Sequence, residues 1–185
     1  FKTTNIGAND PQWQPINDLF ENLAISAIVQ DPTNANTMYF STGEGWFNID
    51  AMQGLGIWKS DDGGANWAQL ASTANNAFFR YTQDMKIDAN GVVFAATQGG
   101  GLQRSTDGGT SWTRVLGSGL SGATNNSAAD IEIASNGDMY CTLGVQSAGG
   151  IYRSTNGGLS WTELTSGLPS SNFERIELAV APCVI

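Results

Sequence analysis

Three observations predict an all-β fold, a β-propeller of four-stranded antiparallel blades. The first is a recurring segment. Lys59 to Trp67 (KSDDGGANW), Arg104 to Trp112 (RSTDGGTSW) and Arg153 to Trp161 (RSTNGGLSW) share a serine, Asp or Asn two residues later, Gly two after that, and Trp three further on. Their serines, Ser60, Ser105 and Ser154, stand 45 and 49 residues apart, a period that suits a four-stranded propeller blade or a helical-pair repeat. The second is apolar alternation with period two in short runs, which is strand patterning; only residues 17–25 have room for a helical turn. The third is punctuation of those runs by Gly, Asn, Asp and Pro, the residues of tight turns.

Within each repeat the four strands follow in order. The first carries the alternation: Met85 and Ile87 flank Lys86, Ile131 and Ile133 flank Glu132, and Ile176, Leu178 and Val180 alternate with Glu177 and Ala179. A turn follows at Asp31-Pro32-Thr33-Asn34, Asn90-Gly91 or Asn136-Gly137. The second strand holds Met38-Tyr39-Phe40, Val92-Val93-Phe94 or Met139-Tyr140-Cys141, and the third Gly56-Ile57-Trp58, Gly101-Leu102-Gln103 or Gly150-Ile151-Tyr152. The recurring segment is the turn into the fourth strand, which runs over Trp67 to Leu70, Trp112 to Leu116 or Trp161 to Leu164. Its chemistry is that of a hairpin staple. Asp or Asn folds back on backbone N–H groups, Gly supplies a positive φ, and Trp covers the hairpin, burying about 150–250 Å². A worn copy opens the chain, with Thr3, Asn5 and Gly7 in the first three positions and Trp13 delayed.

Counting strands places whole blades at about 24–70, 82–116 and 128–164, with partial blades at 1–16 and 175–185 of a single domain spanning 1–185. Propellers close with four to eight blades, and an open arc leaves sheet edges uncovered. The expectation is therefore that the remaining blades come from the same, longer chain, or that copies associate to close the ring.

Composition narrows the functions. Eight basic residues against seventeen acidic ones leave a net charge of −9, which disfavours nucleic acid and anionic membranes as partners. The absence of histidine removes imidazole acid–base chemistry, Ser–His triads and His-based zinc sites. No cofactor or metal is called for. Cys141 and Cys183 do not make a disulfide framework. Cys141 lies where a blade core is expected and reads as a small buried apolar residue, while pairing with Cys183 across adjacent blades stays open. Asn125-x-Ser127 matches the glycosylation acceptor pattern.

The segment Ser-x-Asp-x-Gly-x-x-Trp resembles the Asp-box, or BNR repeat, found in sialidases, xyloglucanase-type glycoside hydrolases, sortilin-like receptors and a photosystem assembly factor. Ser60, Asp62, Gly64 and Trp67 match in full, as do Ser105, Asp107, Gly109 and Trp112; the copy of Ser154, Gly158 and Trp161 departs at Asn156. The resemblance implies a propeller with these boxes on peripheral hairpins, structural and remote from chemistry, in a secreted or cell-surface protein. Neither Arg80, Arg104, Arg114, Arg153 nor Arg175 falls in a segment matching the catalytic positions of such enzymes, so no catalytic residue is carried over.

Meander topology puts the boxes at one end of each blade and the longer, more variable loops at the other, where recognition belongs. Two segments there supply candidate ligand-binding residues. Gly43 to Gly54 (GEGWFNIDAMQG) offers Glu44 and Asp50 as acceptors and Trp46 and Phe47 as flat surfaces suited to sugars; equally, the two rings tuck under the loop. Phe78, Arg80 and Tyr81 form the second, where Arg80 either holds a ligand carboxylate bidentately or pairs with Asp84 or Glu44 as a clamp. Gln98, Glu174 and Arg175 share that end. A non-catalytic recognition or scaffold module for glycan or protein is the leading expectation. The alternative is part of a glycoside hydrolase, with Glu44, Asp50 or Asp84 supplying one of the two carboxyls such an enzyme needs.

Overall fold

A computed structural model describes residues 1–15, 24–46, 49–145, 149–168 and 175–181. Among these residues twelve strands form three four-stranded sheets, each a meander in chain order with every neighbouring pair antiparallel. The first blade holds β1 (Ile25–Asp31), β2 (Asn34–Thr42), β3 (Ile57–Ser60) and β4 (Ala68–Gln69). The second holds β5 (Thr82–Ile87), β6 (Val93–Thr97), β7 (Gly101–Ser105) and β8 (Thr113–Leu116). The third holds β9 (Ala128–Ile133), β10 (Met139–Leu143), β11 (Gly150–Ser154) and β12 (Thr162–Leu164). One 3₁₀ turn, Ala77–Phe79, lies between the first two blades and is capped by the Asn76 side chain, which accepts from the Phe78 N–H. The sheets stand side by side through their first strands, with β5 packed between β1 and β9. This is an arc of β-propeller.

The recurring hairpins show why each residue type is needed. Ser105 Oγ donates to Asp107 Oδ1 at 2.8 Å and accepts the Gly109 N–H at 2.8 Å, while Asp107 Oδ1 accepts the Ser111 N–H at 2.9 Å. Ser60 and Asp62 repeat this with Gly64 and Asn66, and Ser154 and Asn156 with Gly158 and Ser160. Both glycines of each hairpin have positive φ, +68° and +89° at Gly108 and Gly109. The indole N–H of Trp67 closes onto Gly64 O and that of Trp161 onto Gly158 O, each at 3.2 Å. The opening copy keeps the first part of the pattern: Thr3 Oγ1 donates to Asn5 Oδ1 at 2.6 Å, and Lys2 and Gln14 pair as an antiparallel bridge.

The core lies between blades. Tyr39, Ile57, Phe79, Met85, Val93 and Ala95 join the first to the second, and Phe94, Leu102, Leu116, Ile131, Met139, Tyr152 and Trp161 the second to the third. Cys141 is a free thiol sealed in the latter cluster, and burial pushes it well above an ordinary thiol value; Cys183 lies outside the described residues. Each hairpin also leans on the blade before it. Lys2 Nζ donates to Gly63 O, Tyr39 Oη to Gly108 O at 3.3 Å, and Arg104 Nε to Gly157 O at 3.1 Å. Two of these struts, Lys2 and Arg104, stand directly ahead of the repeated hydroxyl residue, while the third comes from Tyr39 on β2, Lys59 being paired with Asp61. Residues 175–181 run beside the third blade without joining a ladder, held by Thr142 Oγ1 on Ile176 O at 2.9 Å. Among the described residues no helix is long and apolar enough to cross a membrane.

Candidate functional site

The site is built by the first strand of each blade. Met85 and Ile131 are completely buried between blades, so the alternation of a strand turns their neighbours to the opposite face. Asp84 and Lys86 on β5, and Asp130 and Glu132 on β9, accordingly line one hollow of about 630 Å³, together with Ser26 on β1. Its rim is completed by Gly43, Glu44 and Trp46 from the segment after β2, and by Arg175, Glu177 and Leu178.

Local backbone constraints set the rim. Gly43 has φ +104°, its N–H donates to Ala24 O at 2.8 Å, and any Cβ there would strike the Arg80 carbonyl. Glu44 N–H donates to Met52 O at 2.9 Å and its carboxylate accepts the Met52 N–H at 3.4 Å, which folds the long loop back on itself. Gln83 lies beneath Gly45, donating to its carbonyl at 2.6 Å. Gln83 is only 6% exposed, and its Oε1 has no hydrogen-bond partner among the described residues.

The electrostatics are dominated by carboxylates. Lys86 Nζ sits 3.5 Å from Asp84 and 3.3 Å from Glu132, bridging adjacent blades. Asp84 accepts the Ile131 N–H at 3.4 Å and Asp130 the Leu178 N–H at 2.5 Å, so each inner-strand aspartate clasps the backbone of the next unit. Burial pushes Asp84 up to about 6; Lys86 opposes the rise, while the hydrogen bond and charge of Asp130 add to it. The guanidinium of Arg175 lies over the Trp46 ring, 3.7 Å from its centroid, and pairs with Glu177.

Of the residues singled out from sequence, Glu44, Trp46 and Asp84 line this hollow, and Arg175 joins them. Phe47 and Glu174 lie outside the described residues. Asp50 is exposed on the loop and does not line the hollow. Phe78 is half-exposed on the 3₁₀ turn, with its Cβ near Gly100. Tyr81 sits beside Gly45, its carbonyl accepting the Gln98 N–H at 2.9 Å. Arg80 lines a separate, smaller hollow with Gln53, Gly54, Asn75 and Asn76. It makes no ion pair with Asp84 or Glu44, because Lys86 takes Asp84 from the adjacent position on the same strand face. Gln83, Asp130 and Glu132 were not candidates from sequence. The polar members of the alternating runs were their signal, and only the assembled blades show which strand faces the hollow.

No family model matches the chain, and no curated protein matches it. Solved structures do. An ancestral GH74 enzyme superposes with a TM-score of 0.60 at 24% identity over 78% of this chain and 20% of its own. A GH74 enzyme from Niastella koreensis gives 0.56 at 25% identity over 77% and 23%. YCF48 from Cyanidioschyzon merolae gives 0.52 at 21% identity over 76% and 37%. The chain thus spans between about a fifth and two fifths of the length of these neighbours. What it shares with them is the propeller architecture.

Proposed function

We propose that this chain is the recognition part of an Asp-box propeller that binds glycan without cleaving it, in a secreted or cell-surface setting, with the rest of the ring supplied by the same chain or by another copy. The observation that carries this reading is the hollow itself. Glu44, Asp84, Asp130 and Glu132 are acceptors, Gln83 Oε1 is a buried acceptor without a partner, and Trp46 stands at the rim. Sugar hydroxyls are donors that such a lining satisfies. The hairpins support the Asp-box assignment, since their serine and aspartate or asparagine side chains are spent on bonds within the hairpin.

The GH74 neighbours and the raised Asp84 favour one second reading, a share of a hydrolase site in which Asp84 is the proton donor, as raised carboxyls are in such enzymes. Binding and reducing-end release on soluble β-glucans including xyloglucan, measured together, separate the two. The binding reading expects saturable affinity, no release of reducing ends, and weakened affinity in Glu44→Gln. Turnover that disappears in Asp84→Asn establishes the hydrolase instead.

A further inference from the structure

We propose that the ligand of this hollow is an amino sugar, its protonated amine held among Asp84, Asp130 and Glu132 and a neighbouring hydroxyl donating to Gln83 Oε1. The inference rests on the glycan-recognition reading and specifies it. Among the described residues, the hollow is lined by five carboxylates, Glu44, Asp84, Asp130, Glu132 and Glu177, against two cations, Lys86 and Arg175. That surplus of negative charge repels uronic and sialic acids, and neutral sugars leave it uncompensated. Lys86 is already divided between Asp84 and Glu132. The raised value of Asp84 is the expected response of a carboxyl that is buried beside a second one with too little positive charge nearby. Arg175 shows that a cation is accepted at the rim, where its guanidinium rests on Trp46 and pairs with Glu177.

Charge alone does not separate an amino sugar from a lysine side chain. Gln83 does. Its Oε1 is buried without a partner and calls for a neutral donor close to the cation. A hexosamine carries an amine and hydroxyls on adjacent carbons of one rigid ring, whereas a lysine ammonium ends a bare alkyl stem. The volume, about 630 Å³, is that of a small-ligand site.

The test is calorimetric titration of the chain with four probes of equal length: a glucosamine tetrasaccharide, its fully N-acetylated form, cellotetraose and tetralysine. The proposal expects the glucosamine tetrasaccharide to bind at least ~10-fold tighter than the other three, more weakly as salt rises. Near pH 6 its binding should release protons, because a bound ammonium beside Asp84, Asp130, Lys86, Glu132, Glu44, Glu177 and Arg175 favours the ionised Asp84. Gln83→Met and Glu132→Gln should each lower affinity ~10-fold or more, while Glu163→Gln on β12, far from the hollow, leaves it unchanged. Should Gln83→Met not fold, the half-exposed Glu132 position decides alone. Equal affinity for cellotetraose overturns the amine and leaves glycan recognition standing; tetralysine binding as tightly overturns the sugar. Unchanged affinity in Glu132→Gln overturns the site, and no binding of any oligosaccharide overturns both readings.

Discussion

Two kinds of aspartate in this protein respond to pH in opposite directions. Asp62 and Asp107, on the hairpins, are lowered to about 2, Asp62 chiefly by the Asn66 backbone N–H and Asp107 chiefly by the Ser111 hydroxyl. Stabilisation of this kind is present above about pH 4 and is lost as pH falls through about 2. Asn156 accepts the same bonds as a neutral amide. Asp107→Asn should therefore keep its hairpin and lose its share of acid sensitivity, seen as a shallower loss of stability in chemical denaturation between pH 4 and 2. Asp84 has the other sign. Its value is raised to about 6, so its contribution is complete below about pH 4 and is lost as pH rises through about 6. Denaturant midpoints should fall across that interval in the wild type, with Lys86, Asp130 and Glu132 facing the titrating group, and the fall should flatten in Asp84→Asn.

At the scale of elements, the hairpin glycines do two jobs that substitution separates. Gly137, in the turn between β9 and β10, has φ +87° and open space where a Cβ would go. Gly158 has φ +77°, and a Cβ there would lie 2.6 Å from the buried Phe94 ring of the preceding blade. Gly137→Ala should cost only the backbone term, about 1–2 kcal/mol. Gly158→Ala should add about 1–3 kcal/mol of overpacking, a difference that urea denaturation resolves. Much at this scale was legible in the sequence. The hairpins announce themselves because turn chemistry is local, and the first strands because one of their faces is buried: Met85 and Ile131 against Lys86 and Glu132. The partners of a hairpin were not legible. Arg104 beside Ser105 carries no local sign that it reaches Gly157, since 53 residues separate them and only the stacking of blades brings them together.

For the whole molecule, the struts predict graded coupling between blades. Arg104 donates to Gly157 O and lies 5.9 Å from the Phe94 ring centroid. Arg104→Ala should cost about 0.5–1.5 kcal/mol and speed amide exchange in the hairpin 155–161 more than in 106–112. The candidate site belongs to this scale too, which is why the sequence exposed only its rim. Glu44 and Trp46 stood out in an unusually long loop. Gln83, Asp130 and Glu132 sit in ordinary strands, and their common orientation is a product of three sheets packed around one side. A single strand records that Glu132 points away from Ile131, but not what it points toward.

The backward lean of the hairpins has a further consequence. Gly63, Gly108 and Gly157 each accept from a residue earlier in the chain, Lys2, Tyr39 and Arg104. During synthesis the donor of each strut therefore leaves the ribosome before its acceptor, so the order of the chain permits each blade to dock on a surface already made.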